Sequence, residues 1–383
     1  MQIKQSLIVK RLLFTIYLLL YFRFAQYDVS GYWLSLAAGH FVEPWPWTMA
    51  LVATGVLLLV LCLTEKLLAH WHKPVIVAYA IVAWLATAGV GMAFTTVWHQ
   101  LLLAAEGLVL AWLLMITDKR LRHRSRITPQ TFGVNFQFFA VQMLLLCLYV
   151  GVGNGVTDLQ HYELRTAQAL QSKHPKRAYK VGDKSYATSH RLFAMRCYLM
   201  ATTHKKGLGD EVFSQMVPAG DAASLLLLPT DNYQQLLLPA SKLEELLGSR
   251  RHANEGALAY LHRCAWLSAF KGDSKHTAAA DYYLCALLLE RKLDLFAKEI
   301  VYYYPTEVAQ SKLPRYFAQA LILYQRTRTK PDVFYTDSNI EANYRDYTDM
   351  ADSIPDRTIR TNMLRYSYGE TYWWWYSYGG SHK

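Results

Sequence analysis

The stretch WPWTMALVATGVLLLVLCL, Trp45–Leu63, contains no charged residue. Roughly 20 apolar residues span the hydrocarbon core of a bilayer as one helix, so this run alone moves the chain out of the ordinary soluble class. Four more apolar runs surround it: Leu12–Phe22, Val75–Val97, Leu101–Thr117 and Phe136–Val152. Beyond residue 156 the alphabet changes to polar, Tyr-rich segments whose apolar residues recur at helical spacing. The reading is all-α. A polytopic helical membrane domain, residues 1–156, with about five transmembrane helices, precedes a tetratricopeptide-like helical-repeat soluble domain, residues 157–383.

Basic residues orient the spans. Lys4, Lys10 and Arg11 precede the first run, Lys66 and Lys73 fill the second loop, and Lys119, Arg120, Arg122, Arg124 and Arg126 crowd the fourth. The first loop has only Arg23 at its edge, and the third, around Trp98–Gln100, has none. Alternation of basic and non-basic loops is the positive-inside pattern. It predicts a multi-pass protein of the bacterial inner membrane, with a cytoplasmic N-terminus and residues 157–383 in the periplasm. Leu12–Phe22 is short and also fits a signal sequence, but no small-residue cleavage site follows, and an uncleaved anchor is the preferred reading. Pro44-Trp45-Pro46-Trp47 reads as a headgroup-level anchor, with proline tolerated in the first helical turn. Tyr32–Phe41 before it reads as an interfacial helix.

The net charge of +11 does not indicate nucleic acid. Residues 1–156 hold 11 Lys/Arg against 5 Asp/Glu, and residues 157–383 hold 29 against 24. The first excess sits in short loops, and the second is scattered without the stripe that phosphates require. Cys62 and Cys147 lie in apolar runs. Cys197, Cys264 and Cys285 would face an oxidising compartment, where a Cys264–Cys285 disulfide competes with buried free thiols. No CxxC or Cys/His spacing suggests a metal, and no cofactor is implied.

In the soluble half, Tyr162–Ser172, Leu192–Ala201 and Ser241–Leu247 read as helices, the first with Leu159, Tyr162, Ala167 and Leu170 on one face. A break at Gly207–Gly209 leads into Asp210–Met216, Ser224–Leu228 reads as a connection, and helices dominate from Glu255 to about Thr327. Asp281-Tyr-Tyr-Leu-Cys-Ala-Leu-Leu-Leu-Glu290 matches Arg315-Tyr-Phe-Ala-Gln-Ala-Leu-Ile-Leu-Tyr324 at an offset of 34 residues. That is the length of a tetratricopeptide helix pair, whose apolar face only a stacked neighbour can bury. The tail packs Tyr366, Tyr368, Tyr372, Trp373, Trp374, Trp375, Tyr376 and Tyr378 into a short segment. Tyr372–Tyr376 reads first as a plug on the helical domain. A membrane-interface anchor and a sugar-stacking surface are the other readings, and Asp346–Ile354 is expected to be a polar connector that lets the tail fold back.

Leu313-Pro-Arg-Tyr through Ala320-Leu-Ile-Leu-Tyr324, followed by Gly369-Glu-Thr-Tyr-Trp373, resembles the C-terminus of an uncharacterised (domain of unknown function) family of Bacteroidota membrane proteins. Arg177-Ala178-Tyr-Lys-Val-Gly182, Gly207-Leu-Gly-Asp-Glu-Val-Phe213 and the polytopic N-terminal half are similar to its other regions. The resemblance implies an inner-membrane location and a periplasmic helical-repeat domain. Members run longer, so part of the membrane region is expected to be missing. No catalytic residue carries over.

Chemistry is sparse. No phosphate loop, nucleophile elbow or zincin helix occurs. Gly151-Val-Gly153-Asn-Gly155 ends an apolar run and reads as a flexible exit from the membrane. His70-Trp-His72 has poor helical spacing for one metal and reads as interfacial. Glu106 is different, because an acid inside an apolar run is costly and marks pathways or relays. His99, His40, Glu43 and Asp28 fall on the same side and could join it in a polar mouth. The leading expectation is a non-enzymatic, membrane-anchored scaffold that presents a helical-repeat surface to protein partners in the periplasm. The alternative is a membrane enzyme or transport component acting on lipid-linked or glycan substrates through Glu106 and His99.

Overall fold

A computed structural model describes residues 2–127, 132–172, 175–182, 188–203, 207–215, 217–227, 238–271 and 277–379. The chain forms two compact units, Met1–Leu164 and Arg165–Lys383. The division falls inside a helix that begins at Asp158, later than the change of alphabet at residue 156. Among the described residues every regular element is helical.

The first unit comprises α1 (Gln2–Leu20) running into a π-turn (Tyr21–Ala25), then α2 (Tyr27–Ala38), α3 (Pro46–His70), α4 (Val77–Gly91), α5 (Val97–Ile127), α6 (Phe132–Val152) and the start of α7 (Asp158–Gln171). Pro46 opens α3 behind an extended Trp45, as its missing N–H permits. Gly39 closes α2 at φ +71°, a left-handed cap that a side chain would strain. Two helices, Pro46–His70 and Val97–Arg120, are long and apolar enough to cross a membrane, while Val77–Gly91 and Ala140–Val152 are shorter apolar helices. The run Val75–Val97 therefore yields a helix that stops at Gly91. A Cβ there would meet the Asn154 carbonyl oxygen at 2.3 Å, so the site needs glycine.

Small residues place α4 at the centre of this unit. Ala78, Ala80, Ala83, Ala86, Ala88 and Gly91 are all buried, and α4 contacts α3, α5 and α6. Without side-chain bulk, backbones approach closely, which is how helices pack when apolar surroundings offer no hydrophobic drive. The outer faces are apolar instead: Leu51, Val52, Val56, Leu59 and Leu63 of α3 are exposed.

The second unit holds the rest of α7, α8 (His190–Thr203), α9 (Leu208–Glu211), α10 (Ala240–Leu247), α11 (Ala257–Lys271), α12 (Ala278–Leu289), α13 (Leu293–Tyr303), α14 (Pro305–Ala309), α15 (Arg315–Thr327), α16 (Ser338–Ser353), α17 (Arg357–Tyr368) and α18 (Tyr372–Tyr378), with short 3-10 turns between some of them. Every residue of α12 from Tyr282 to Leu289 is buried. It is enclosed by α9, α10, α11, α13 and the turn Ala222–Leu225. The two segments matched at an offset of 34 residues are α12 and α15, and their paired aromatics, Tyr282/Tyr283 and Tyr316/Phe317, are all core. Contacts then follow chain order, α11 on α12, α12 on α13, α13 on α15, α15 on α16 and α16 on α17.

Several expectations are corrected. Asp346–Ile354 is no connector. Asp337 caps α16 by accepting from the Asn339 and Ile340 amides at 3.0 and 3.1 Å, the helix runs to Ser353, and Tyr347 anchors it in the core. The covered face of α7 holds Glu163, Thr166 and Gln168 beside Leu164 and Ala167, so it is more polar than its spacing suggests. Ser224–Leu228 begins within the 3-10 turn Ala222–Leu225, with Leu228 outside the described residues, as is Met216. All five cysteines are free thiols. Burial pushes the Cys197 and Cys285 thiols up, which leaves them inert.

One electrostatic clasp holds the chain between α10 and α11. Arg263 donates to both Glu255 oxygens at 2.7 and 2.8 Å and to Ser249 Oγ at 2.6 Å. The guanidinium lowers the Glu255 carboxyl from 4.5 to about 2. A depressed folded-state pKa contributes stability above the unfolded value, lost as pH falls through the folded one. The stability gap between wild type and Glu255→Gln should therefore be full above pH 4.5 and close as pH approaches about 2. Denaturant titrations at stepped pH measure it, and a gap unchanged across that window would refute the linkage.

Candidate functional site

Polar groups of the first unit gather at its two ends. At one end, Lys10 and Arg11 of α1 meet Glu65 late in α3, Tyr79 early in α4, Thr117 late in α5 and Gln142 of α6. Lys10 Nζ donates to Gln142 Oε1 at 2.8 Å, and Gln142 Nε2 donates to Thr117 Oγ1 at 3.0 Å. Arg11 pairs with Glu65, whose side chain is 4% exposed, and the fully buried Tyr79 ring lies within electrostatic reach of both. A buried ion is tolerated only when paired and hydrogen-bonded. Glu65 meets that condition through its bond to Arg11, although its other oxygen and the Tyr79 hydroxyl are buried without a hydrogen bond, and the cluster ties four helices together through polar contacts. The sequence reading missed it because Glu65 looked like the edge of a loop beside Lys66. Opposite charges in two separate apolar helices were the available signal.

At the other end, Asn154 Nδ2 donates to the Tyr21 hydroxyl at 3.2 Å, and His99 Nε2 donates to the Gly153 carbonyl at 3.3 Å. Asp28, fully buried, accepts from His161 Nδ1 at 2.7 Å. Gly151–Gly155 is a tight joint, not a flexible exit. A Cβ on Gly153 would meet the Tyr149 carbonyl oxygen at 2.7 Å, and one on Gly155, at φ +68°, would meet His99 Nε2 at 2.4 Å.

The expected polar mouth is not assembled. Glu106 lies on the exposed face of α5, seven positions along the helix from His99, roughly 10 Å along the axis. No hydrogen bond joins the two. His40 and Glu43 are exposed, and Asp28 engages His161 instead.

The tail forms α18, capped by Thr371, whose Oγ1 accepts from the Trp374 amide at 3.3 Å. Tyr372, Trp373 and Trp375 are buried, and only Trp374 and Tyr376 are half-buried. The five rings are therefore mostly interior. Phe213 is the hub, with centroids 5.0 Å from Tyr372, 4.9 Å from Trp375 and 5.2 Å from Tyr316. The Tyr372 hydroxyl donates to the Leu288 carbonyl at 3.1 Å, and burial pushes its pKa well up. The Arg291 guanidinium lies 5.2 Å over Trp375 and donates to the Gly379 carbonyl. Exposed rings lie outside α18, among them Tyr366 of α17 and Phe334. Trp266 and Phe270 of α11 stack with centroids 5.5 Å apart, 48% and 75% exposed, and Tyr302 of α13 is also exposed. Sequence spacing did not single them out.

A family of unknown function (DUF6057) matches residues 230–379, from just before α10 through α18 and less than half of the chain. No curated protein and no solved structure is similar to the chain. The match lies wholly within the second unit.

Both structural clusters can be tested in the full chain. Arg11→Ala leaves Glu65 enclosed without its cation and is expected to cost about 3–5 kcal/mol, most of it restored by adding Glu65→Leu. Glu106→Gln, on the outer face, should stay within about 0.5 kcal/mol of wild type. Unfolding titrations in detergent measure all three, and an Arg11→Ala protein as stable as wild type would show that the pair holds nothing. Trp373→Ala should cost about 3–5 kcal/mol, with Trp374→Ala costing far less, because only the first ring is fully enclosed. Equal melting temperatures for these two variants would contradict the core placement of α18.

Proposed function

We propose that this protein is a membrane-anchored scaffold of the bacterial inner membrane. Its N-terminal unit crosses the bilayer about five times, with the N-terminus in the cytoplasm, and its second unit presents a tetratricopeptide-like helical surface to a protein partner in the periplasm. The observation that carries the reading is the order of packing in the second unit. The pairs α11/α12, α13/α15 and α16/α17 stack in the order of the chain, as helical repeats do. The enclosed second helices of the first two pairs, α12 and α15, build the core, while their first helices carry exposed rings at Trp266, Phe270 and Tyr302. Exposed aromatics of this kind are the residues that anchor protein interfaces.

The five-pass topology draws support from the first unit. Side-chain contacts link the middle of α1 to the last turns of α3 and the middle of α6, and α6 to the later part of α5, while contacts at the far end link α1 end, α4 end, α5 start and α6 end. Helices that alternate in direction, with leucines outward, fit a bundle solvated by lipid. The rival reading, an enzyme or transporter for lipid-linked or glycan substrates, loses its motive because Glu106 and His99 are not brought together.

A membrane-impermeant amine cross-linker applied to intact spheroplasts tests side and partner together. Lys298, exposed on α13, is expected to link to a defined protein recovered with the detergent-solubilised chain. Trp266→Ser with Phe270→Ser should reduce that recovery at least several-fold, as loss of a hot-spot pair does. Cross-linking only after permeabilisation, or repeated recovery of the chain alone, would refute the proposal.

A further inference from the structure

The helices α16 and α17 form an antiparallel hairpin whose two members carry opposite charge. Ser338–Ser353 contains Glu341, Asp346, Asp349 and Asp352 against Arg345, a net of −3. Arg357–Tyr368 contains Arg357, Arg360 and Arg365 and no acid, a net of +3. Asp346, Asp349, Asp352, Arg357 and Arg365 are all exposed, and among the described residues no ion pair joins the two helices. Alongside the arginines, Ile359, Met363 and Tyr366 recur at i, i+4 and i+7 and stand 58%, 49% and 94% exposed. Leu364 alone of α17 is buried. An apolar stripe at that spacing is the face a helix ordinarily buries, and among the described residues nothing covers it.

We infer that this hairpin is a self-association surface, on which a second copy of the chain docks with α17 of each copy over α16 of the other. The charges decide between occupants. An anionic bilayer would attract the arginines but would be repelled by the carboxylates on the adjoining helix. A second copy satisfies both signs at once, because a two-fold operation places the +3 helix on the −3 helix twice. Such a contact is self-complementary and closes at two copies, and it covers the stripe of Ile359, Met363 and Tyr366. Confinement to a membrane would raise the effective concentration of copies, so a modest patch suffices.

The test uses the full chain, labelled with donor or acceptor dyes and reconstituted into liposomes at low protein density. Wild type should show energy transfer well above random proximity, falling as salt rises, because exposed charges are screened within about 3 Å at 1 M ionic strength. Arg357→Glu with Arg365→Glu should reduce transfer to the random level, and so should Asp346→Lys with Asp349→Lys and Asp352→Lys. All five positions are exposed, so both variants should melt as wild type does. Mixing the two variants should restore transfer, since each then offers the charge that the other lacks. Random-level transfer in wild type, or no rescue in the mixture, overturns the proposal. Quenching of a dye at position 363 by lipid-borne quencher, with transfer at the random level, also overturns it and assigns the stripe to the bilayer.

Discussion

A helix without a solvent-facing side has to be enclosed by others, and α12 imposes that requirement on the second unit. From Tyr282 to Leu289 every side chain is buried, so neighbours must arrive from all directions. They come as α9, α10, α11 and α13. Polar groups that enter this core bring their own partners. Tyr304 donates to Asp281, and the Tyr372 hydroxyl donates to the Leu288 carbonyl where α12 ends. Arg291, just beyond, adopts φ +55° to turn the chain into α13 and lays its guanidinium on Trp375. The aromatic tail thus completes an enclosure that the apolar helix demands.

The first unit answers a different constraint. Much of its outer surface is apolar, and its buried polar side chains collect into two clusters. Lys10, Arg11 and Glu65 gather at one end, and Asp28, His99, Asn154 and His161 at the other. Between the two ends the packing is left to alanine and glycine on α4. The two polar clusters and this small-residue middle together hold the helices of the unit against one another.

Local signals made much of this legible. The amphipathic spacing of Ser241–Leu247, the proline at position 46 and the matched pair of segments in α12 and α15 each appear where the residues placed them. Features that depend on a distant partner were not legible. The glycines of 151–155 read as loose because nothing local reveals that Asn154, His99 and Gly91 meet there. Asp346–Ile354 read as a linker because its single anchor, Tyr347, is decided by Trp373 and Ser377. Glu106 drew attention as an isolated acid, whereas Glu65 hid beside Lys66 although its true partner is Arg11. Periodicity reports which face is apolar. It does not report what that face meets.

The position of Phe213 ties together segments of the second unit that lie far apart in sequence. Neighbouring helices such as α11 and α12 meet through short connections and can pair early. The pocket around Phe213 closes only when residues 213, 316, 372 and 375 converge from far apart along the chain. Contacts of long sequence separation carry the largest closure entropy and form late. A chain ending before residue 372 would therefore leave Phe213 without the Tyr372 and Trp375 rings, and the far end of the unit is what closes the core opened near its start.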